Sequence, residues 1–307
     1  MRIVGYSKEY TDQMLAIQSR YEKDHPYAER FTADDLKNPL LNGRGNILLA
    51  INERRVLGFS RFLSRQNFSR VHFHHIWLDI NVADSPATNL MSLLFEASLP
   101  LISESTNSFF PAAGTRICVR IAESEETKRD FFSSLGFTRW KDFNYMERDL
   151  KDEVVSYPLP EGLSMSRLRP RKEPEIINYL RAEQSCFPDS PLEYKYLHYF
   201  FNRPYWKKEG VILAALDAKS SIAGSVMIYP DRLNNEYCFT EEIFVVEKWR
   251  GKRLARALVS NALDYLRKAG KRKALLSVTS DRLAAKRIYE DAGFTTTYSK
   301  EVLSVEI

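Results

Sequence analysis

The chain has 307 residues, 44% of them hydrophobic and 12% aromatic, which is enough apolar material for a well-buried core and suggests two domains. The net charge of +5 is modest and acidic residues are interspersed with basic ones, so the composition is not that of a nucleic-acid-binding arm. The longest apolar runs fall far short of the roughly 20 residues that cross a bilayer, and the N-terminus lacks a secretory signal. We therefore expect a cytoplasmic protein that binds neither membranes nor nucleic acid.

The N-terminal half begins with a helical pattern at residues 13–17, followed by two strands at 47–51 and 56–58 that a short polar turn joins. Near the end of this half, residues 131–137 predict a helix that stops at a glycine and a strand that starts with phenylalanine. Helices and strands therefore alternate along this half, as expected for an α/β unit.

A linker is predicted where the apolar periodicity is lost, around residues 149–170, because this stretch contains three prolines and Gly162. The predicted organisation is a first domain at 1–150, a linker at 151–162 and a second domain at 163–307.

The second half repeats the order of elements in the first. A helical pattern at 175–180 precedes two strands at 212–216 and 222–224, and residues 288–294 parallel 131–137. The same number of residues separates Gly136 from Gly293 as separates Phe132 from Tyr289. We interpret the chain as a tandem duplication of one α/β unit (α+β by some schemes), whose sheet mixes parallel and antiparallel strands.

A basic loop follows the β-rich run 239–246 of the second half. It leads into a helix whose apolar positions between Leu254 and Ala269 are spaced by three and four, and Gly270 ends that helix. Unpaired backbone N–H groups and the positive end of the helix dipole meet at such a start, which suits a phosphate anion. The chain has neither the glycine-rich loop of nucleoside triphosphatases nor the dinucleotide fingerprint.

The loop resembles that of the GNAT superfamily of acyl-CoA-dependent N-acyltransferases, which reads Arg/Gln-x-x-Gly-x-Gly/Ala. Arg250 takes the first position and Ala255 the last, whereas Arg253 stands where glycine is usual. The loop can accommodate a side chain at residue 253 if the backbone there is helical and the side chain points outward or along the ligand. The resemblance covers most of residues 163–303.

The resemblance implies two tandem GNAT-like domains, each with a mixed, mostly antiparallel, twisted sheet flanked by helices and a splayed central pair of parallel strands. It also implies acetyl-CoA as a co-substrate and Tyr289 as the general acid that protonates the departing thiolate. The cofactor-binding residues that it implies are Phe244, Val245, Arg250, Gly251, Lys252, Arg253, Leu254, Ala255, Arg256, Arg282 and Tyr289.

Two acidic residues are candidates for the general base. Glu241 and Glu242 lie on the strand that leads to the splay, and strand alternation sends one of them to each face. Glu242 is preferred because acidic residues on this strand reach the acceptor in the family, while a plain surface carboxylate remains the alternative. The aromatic stretch 194–201 with Tyr205 and Trp206 is predicted either to line an acceptor pocket or to pack between the two halves.

The first half is predicted to be a degenerate, non-catalytic copy. Its segment 78–89 has no arginine, lysine or glycine at the place of the basic loop, and Phe132 replaces Tyr289. It would complete the acceptor cleft or substitute for a dimer partner, so both a monomer and a homodimer remain open.

No metal is expected. The three cysteines, at 118, 186 and 238, are too far apart for a disulfide framework or a metal site. His72, His74 and His75 cluster on one strand, but no carboxylate or cysteine completes a ligand set.

The sequence therefore predicts an N-acetyltransferase, in which a primary amine attacks the thioester of acetyl-CoA directly. The alternative is a non-catalytic protein that binds acyl-CoA as a sensor. Nucleic-acid binding through the basic loop is disfavoured because the charges surround a single helix start instead of forming a stripe.

Overall fold

A computed structural model describes residues 1–64, 73–83, 88–107, 113–188 and 190–307. They form two compact units, one made of Met1–Asp142 with Lys300–Ile307 and the other of Phe143–Ser299. This division differs from the sequence-based boundary at residue 150, because residues 143–149 pair with a strand of the second unit and residues 300–306 with a strand of the first. None of the described helices is long and apolar enough to span a membrane.

The elements alternate along the chain as the duplication predicts. Up to residue 149 they are β1 (Arg2–Gly5), α1 (Thr11–Asp24), β2 (Ile47–Asn52), β3 (Arg55–Ser64), β4 (Phe73–Val82), α2 (Thr88–Asn107), β5 (Gly114–Ala122), α3 (Glu126–Ser134) and β6 (Thr138–Asp149). From residue 164 they are β7 (Ser164–Leu168), α4 (Glu173–Cys186), α5 (Tyr194–Phe201), α6 (Pro204–Glu209), β8 (Val211–Leu216), β9 (Ile222–Pro230), β10 (Tyr237–Val245), α7 (Leu254–Lys268), β11 (Lys273–Thr279), α8 (Leu283–Asp291) and β12 (Thr295–Glu306).

The sheet of the first unit has the order β1-β2-β3-β4-β5, and residues 300–306 of β12 pair antiparallel with β5 at its end. β4 and β5 are parallel and the other pairings among the described residues of this unit are antiparallel. Met14 and Ile17 of α1 pack with Ile47 and Leu49, whereas Leu94 of α2 packs in a separate core with strand residues of the other face. The alternation of side chains along each strand thus gives the sheet two buried faces.

The sheet of the second unit has the order β11-β10-β9-β8-β7, with residues 143–149 of β6 antiparallel to β11 at the other edge. Only β10 and β11 are parallel among the described pairings of this unit. Helices α7 and α8 cover one face, where Leu263 and Leu276 are buried, and α4–α6 cover the other, where Ile176 and Met227 are buried. The predicted mixed sheet flanked by helices is confirmed.

The two glycines that link a helix to its following strand have the predicted left-handed backbone. Gly136 and Gly293 have φ of 84° and 85°, and the next residue's N–H donates back into the preceding helix in both cases. This conformation carries a steric penalty for residues with a Cβ, which explains why glycine occurs at both positions. At Gly293 there is a further reason, because a Cβ would lie 1.9 Å from the guanidinium of Arg148.

The pairing of residues 300–306 with the first unit makes a testable prediction. Leu303 is 3% exposed and lies in the core of the first unit. Leu303→Ala is expected to lower the free energy of unfolding by about 3 kcal/mol, because it leaves a cavity in packed surroundings. Urea denaturation measures the change, and Thr296→Ala, at an exposed position of the same strand, serves as the control. A change at Leu303 no larger than the change in the control would contradict the core role.

Candidate active site

The two parallel strands of the second unit separate soon after they pair. β10 and β11 share three register positions, from Tyr237 opposite Lys273 to Phe239 opposite Leu275, and no pair follows within the described residues. On its other side, β10 is irregular between Glu241 and Phe244. Glu242, inside this irregularity, has a left-handed backbone with φ of 49°. The chain therefore opens a gap between β10 and β11 and bulges β10 at the same place, as β-bulges next to active sites do.

Glu241 bridges the gap with its side chain. Its carboxylate oxygen accepts hydrogen bonds from the backbone N–H of Ser277 at 3.0 Å and from the Ser277 hydroxyl at 3.2 Å. Ser277 lies on β11, two residues beyond Leu275, the last residue of β11 that pairs with β10. The carboxylate thus satisfies a backbone group that the separation of the strands would leave unpaired. The structure places Glu241 in a strand-bridging position and Glu242 on the bulge.

The predicted basic loop is a short turn that precedes α7. A 3₁₀ turn at Glu247–Trp249 is followed by Gly251 with φ of 75° and by Arg253 with φ of 62° and ψ of 12°. No side chain caps the start of α7. The first N–H groups of the helix therefore point out of its N-terminus without an intrahelical acceptor. The condition under which a side chain was expected to fit at residue 253, a helical backbone, is not met: the backbone is left-handed, the conformation that glycine adopts without a steric penalty.

The charged side chains of this segment have different surroundings. The Nε of Arg250 donates to the carbonyl of Val245 at 3.2 Å, which fixes the loop against the end of β10. The ammonium of Lys252 lies 4.7 Å from the centre of the Trp249 ring. Arg256 turns to the opposite side, where it donates to Asp291 at 2.5 Å. Arg256 is therefore engaged between α7 and α8 and does not line the cavity described next.

A cavity is lined by the end of α4, the C-terminal part of β10, the start of α7 and one side of α8. Its walls contain Cys186, Phe187, Ile243, Phe244, Val245, Arg250, Ala255, Arg282, Ala285, Ile288 and Tyr289. Six of these are among the cofactor residues that the resemblance implied, namely Phe244, Val245, Arg250, Ala255, Arg282 and Tyr289. The other implied residues lie outside the lining: Leu254 is buried in a small core with Leu258, and residues 251–253 are exposed at the helix start.

Five residues of the cavity were not among those that the resemblance implied, namely Cys186, Phe187, Ile243, Ala285 and Ile288. Cys186 and Phe187 are at the C-terminal end of α4, and the guanidinium carbon of Arg282 lies 4.9 Å from the centre of the Phe187 ring. The sequence carries one signal for Phe187, an aromatic residue directly after an amphipathic helix. Arg282 itself is the residue that precedes α8.

Tyr289 projects from α8 into this cavity and is 8% exposed. Burial raises the pKa of its phenol well above the usual value, the carboxylates of Glu241 and Glu242 raise it further, and Arg282 opposes them. The phenol is therefore protonated at neutral pH. A buried hydroxyl that keeps its proton is suited to donate it to an anion formed in the cavity.

The corresponding place in the first unit is filled by charged side chains. Asp79 of β4 pairs with the third residue after Gly58 on β3, and Glu241 of β10 pairs with the third residue after Gly224 on β9. The two carboxylates therefore occupy equivalent positions in the two sheets. Lys128, which is 4% exposed, donates to Asp79 at 2.9 Å and contacts Glu125 at 2.7 Å.

Two cations neutralise this buried carboxylate. Burial favours a higher pKa for Asp79, but Lys128 and Arg61 outweigh it and lower the pKa to about 2. Phe132 is fully buried, and residues 84–87 of the predicted degenerate loop lie outside the described part of the chain.

Among the described residues, no group of three or more His, Cys, Asp or Glu side chains is arranged to hold a metal ion. His74 is 2% exposed, and His72 lies outside the described residues.

Comparisons with known proteins agree with this geometry. Residues 175–294 match the model of the acetyltransferase (GNAT) family. A mycothiol acetyltransferase of Streptomyces griseus is 26% identical over 193 residues, which cover 60% of this chain and 60% of that protein. The chain thus spans less than two thirds of this curated relative.

Two solved structures share the fold over nearly the whole chain. A GCN5-related N-acetyltransferase from Sphaerobacter thermophilus superposes with a TM-score of 0.69 at 16% identity, covering 99% of this chain and 95% of that one. A tandem GNAT protein from the clavulanic acid biosynthesis pathway gives a TM-score of 0.68 at 14% identity, covering 99% and 98%.

The left-handed backbone of Arg253 generates a prediction about stability. Replacing it with glycine removes a steric penalty of about 1 kcal/mol and adds some chain entropy to the unfolded state. We expect Arg253→Gly to raise the free energy of unfolding by about 0.5 kcal/mol, measured by urea denaturation without ligand. Lys252→Gly, at an exposed neighbouring position without a positive φ, is the control and is expected to give no gain. A loss of stability in Arg253→Gly would show that its side chain contributes more than its backbone costs.

Proposed function

Residues 175–294, within the second unit, match the model of the acetyltransferase (GNAT) family, and on that premise we propose that this unit binds acetyl-CoA and transfers the acetyl group to a primary amine. The observation that carries the proposal is the cavity beside the end of β10, where Tyr289 of α8 lines the same space as Val245 and Ala255 at the start of α7. The first unit is proposed to have no catalytic role, because Lys128 and Asp79 occupy its corresponding gap.

The pyrophosphate of acetyl-CoA is proposed to bind at the N-terminus of α7. Unpaired N–H groups between Gly251 and Ala255 and the positive end of the helix dipole favour an anion there. Arg250, Lys252 and Arg253 add positive charge around the same point. The exposed side chains of residues 252 and 253 reach a phosphate from solvent, whereas Arg250 lies at the mouth of the cavity.

The pantetheine arm is proposed to follow the unpaired edge of β10. After Phe239 this edge no longer pairs with β11, so backbone groups near Phe244 and Val245 are available to amides of the arm. The Val245 carbonyl already accepts from Arg250, but a carbonyl oxygen has a second lone pair that can accept another donor. This path places the thioester beside Tyr289.

In the proposed reaction, the neutral amine attacks the thioester carbonyl, the C–S bond breaks, and the thiolate of CoA takes a proton. Glu242 on the bulge of β10 is the proposed base that receives the proton of the ammonium form. Backbone N–H groups near Val245 are proposed to stabilise the oxyanion. Tyr289 supplies the proton to sulfur, and its raised pKa keeps that proton in place until the thiolate forms.

Acetyl-CoA binding is tested by thermal unfolding of the intact protein. A ligand present at 100 times its Kd adds about 2.7 kcal/mol to the stability of the folded state, so a clear rise in melting temperature is expected. Arg250→Ala is expected to bind acetyl-CoA about 10-fold more weakly, because it removes a charge-assisted contact to phosphate. Arg267→Ala, which removes an exposed positive charge from the other end of α7, is the control. No stabilisation of the parent protein by acetyl-CoA would overturn the proposal.

The role of Tyr289 is tested by the rate of CoA release. Tyr289→Phe is expected to lower kcat about 100-fold while the stabilisation by acetyl-CoA is kept, because the substitution removes only the proton donor. Since its pKa lies above the usual value of about 10, the acid function is present at neutral pH and is lost only as the pH rises beyond that value.

The pH dependence of kcat checks the same assignment. In the parent protein, kcat is expected to show no decline due to Tyr289 between pH 7 and about 9. A decline that begins below pH 9 and disappears in Tyr289→Phe would contradict the assignment. If acetyl-CoA binds but no amine in a broad panel releases CoA, the non-catalytic acyl-CoA sensor replaces the enzyme.

A further inference from the structure

We propose that the acceptor is a cationic amine that carries no carboxylate or phosphate beside its amino group, and that it binds on the α4–α6 side of the gap between β10 and β11. The binding surface, called here the acidic aromatic surface, consists of Phe200, Tyr205, Tyr229, Phe239, Glu241 and Glu242. This inference rests on the proposed acetyl transfer and narrows its second substrate.

The aromatic part of the surface is continuous with the edge of the gap. Phe239 is the last residue of β10 that pairs with β11, and its ring stacks on Tyr229 of β9 with centroids 5.4 Å apart. Phe200 of α5 meets the Tyr229 ring edge-on at 5.0 Å, and Tyr205 of α6 lies 6.2 Å from it. All four side chains are half-buried. A row of rings thus leads from α5 and α6 to the point where the strands separate.

Negative charge lies at the inner end of this row. Phe239 and Glu241 are two residues apart on β10 and point to the same face of the sheet, and the bulge places Glu242 next to them. Burial raises the pKa of the Tyr229 phenol well above its usual value, and Glu241, Tyr196, Tyr205 and Glu242 raise it further. The titratable groups that act on Tyr229 from its neighbouring elements are therefore carboxylates and phenols.

A buried cation already contacts one of these rings. Arg203, which is 4% exposed, bonds to the hydroxyl of Tyr199 and lies 5.6 Å from the centre of the Tyr205 ring. The tyrosine faces of this region thus show the cation–π contact that a ligand ammonium would make with them from solvent.

The cavity that leads to Tyr289 connects with this side of the sheet. Its lining includes Phe244, which packs in the α4–α6 core, as well as Tyr289, which packs in the α7–α8 core. The carboxylates of Glu241 and Glu242 raise the pKa of both Tyr229 and Tyr289, so they lie near the surface and near the cavity. An amine held by these carboxylates is therefore close to the proposed position of the thioester. A carboxylate or phosphate beside that amine would enter the same half-buried region as Glu241 and Glu242, where like charges repel strongly because water screens them poorly.

Matched pairs of amines test the inference in the intact protein. CoA release is measured with tyramine and tyrosine, putrescine and ornithine, and agmatine and arginine, in which the two members differ by one carboxylate next to an amino group. The member without the carboxylate is expected to have at least about a 10-fold higher kcat/KM in the pairs that react, since a repulsive charge contact costs that much or more. Equal values, or a preference for the carboxylated member, would overturn the inference and leave the proposed function intact.

Two pairs of variants locate the effect. Tyr229→Leu is expected to raise KM for the preferred amine about 10-fold with the KM for acetyl-CoA unchanged, whereas Tyr229→Phe, which keeps the ring, behaves like the parent. Tyr205→Leu and Tyr205→Phe repeat the comparison on α6, in case Tyr229→Leu does not fold. An unchanged KM for the amine in a folded Leu variant would contradict the location. If acetyl-CoA stabilises the protein and no amine is acetylated, the proposed function fails and this inference fails with it.

Discussion

The site of the second unit depends on the loss of backbone pairing between two neighbouring strands. β10 and β11 share three register positions and then separate. The separation leaves backbone N–H and C=O groups without a partner strand, and such groups inside a sheet need another hydrogen-bond partner. One of them, the N–H of Ser277, is paired by the carboxylate of Glu241, which reaches across from β10. Beyond Phe239 the described residues of β10 form no further pair with β11. The bulge at Glu242 and the cavity lined by Tyr289 lie along this same part of β10.

The two units show that one scaffold can keep such a gap or fill it. Parallel pairing between β4 and β5 in the first unit also stops partway along the strands, but there Asp79 is bonded to Arg61 and Lys128. Satisfied buried charges of this kind are costly to disrupt, since removing one partner leaves the other desolvated. The first unit therefore keeps the framework of the fold while its gap is occupied by its own side chains.

The sequence predicted those features that depend on local residue types. Local causes account for the glycines at 136 and 293, the apolar spacing of α7 and the duplicated order of elements. The helices that end before these glycines, α7 and the mixed sheets were therefore predictable. The left-handed backbone of Arg253 was not, because an arginine gives no local signal for it. The engagement of Arg256 with Asp291, the bridge from Glu241 to Ser277 and the place of Phe187 in the cavity depend on residues distant in the chain, whose contacts a single sequence does not reveal.

The pairing of residues 300–306 with β5 has a consequence for the order of folding during synthesis. The first unit lacks an edge strand of its sheet until the ribosome has produced the chain through residue 306, well after all its other strands have emerged. Until then β5 exposes an unpaired edge, the type of surface that promotes wrong strand pairing in nascent chains. The second unit, whose residues 143–299 are contiguous, has all its strands earlier. The unit with the open site is thus the one that can complete its fold first, although it is encoded second.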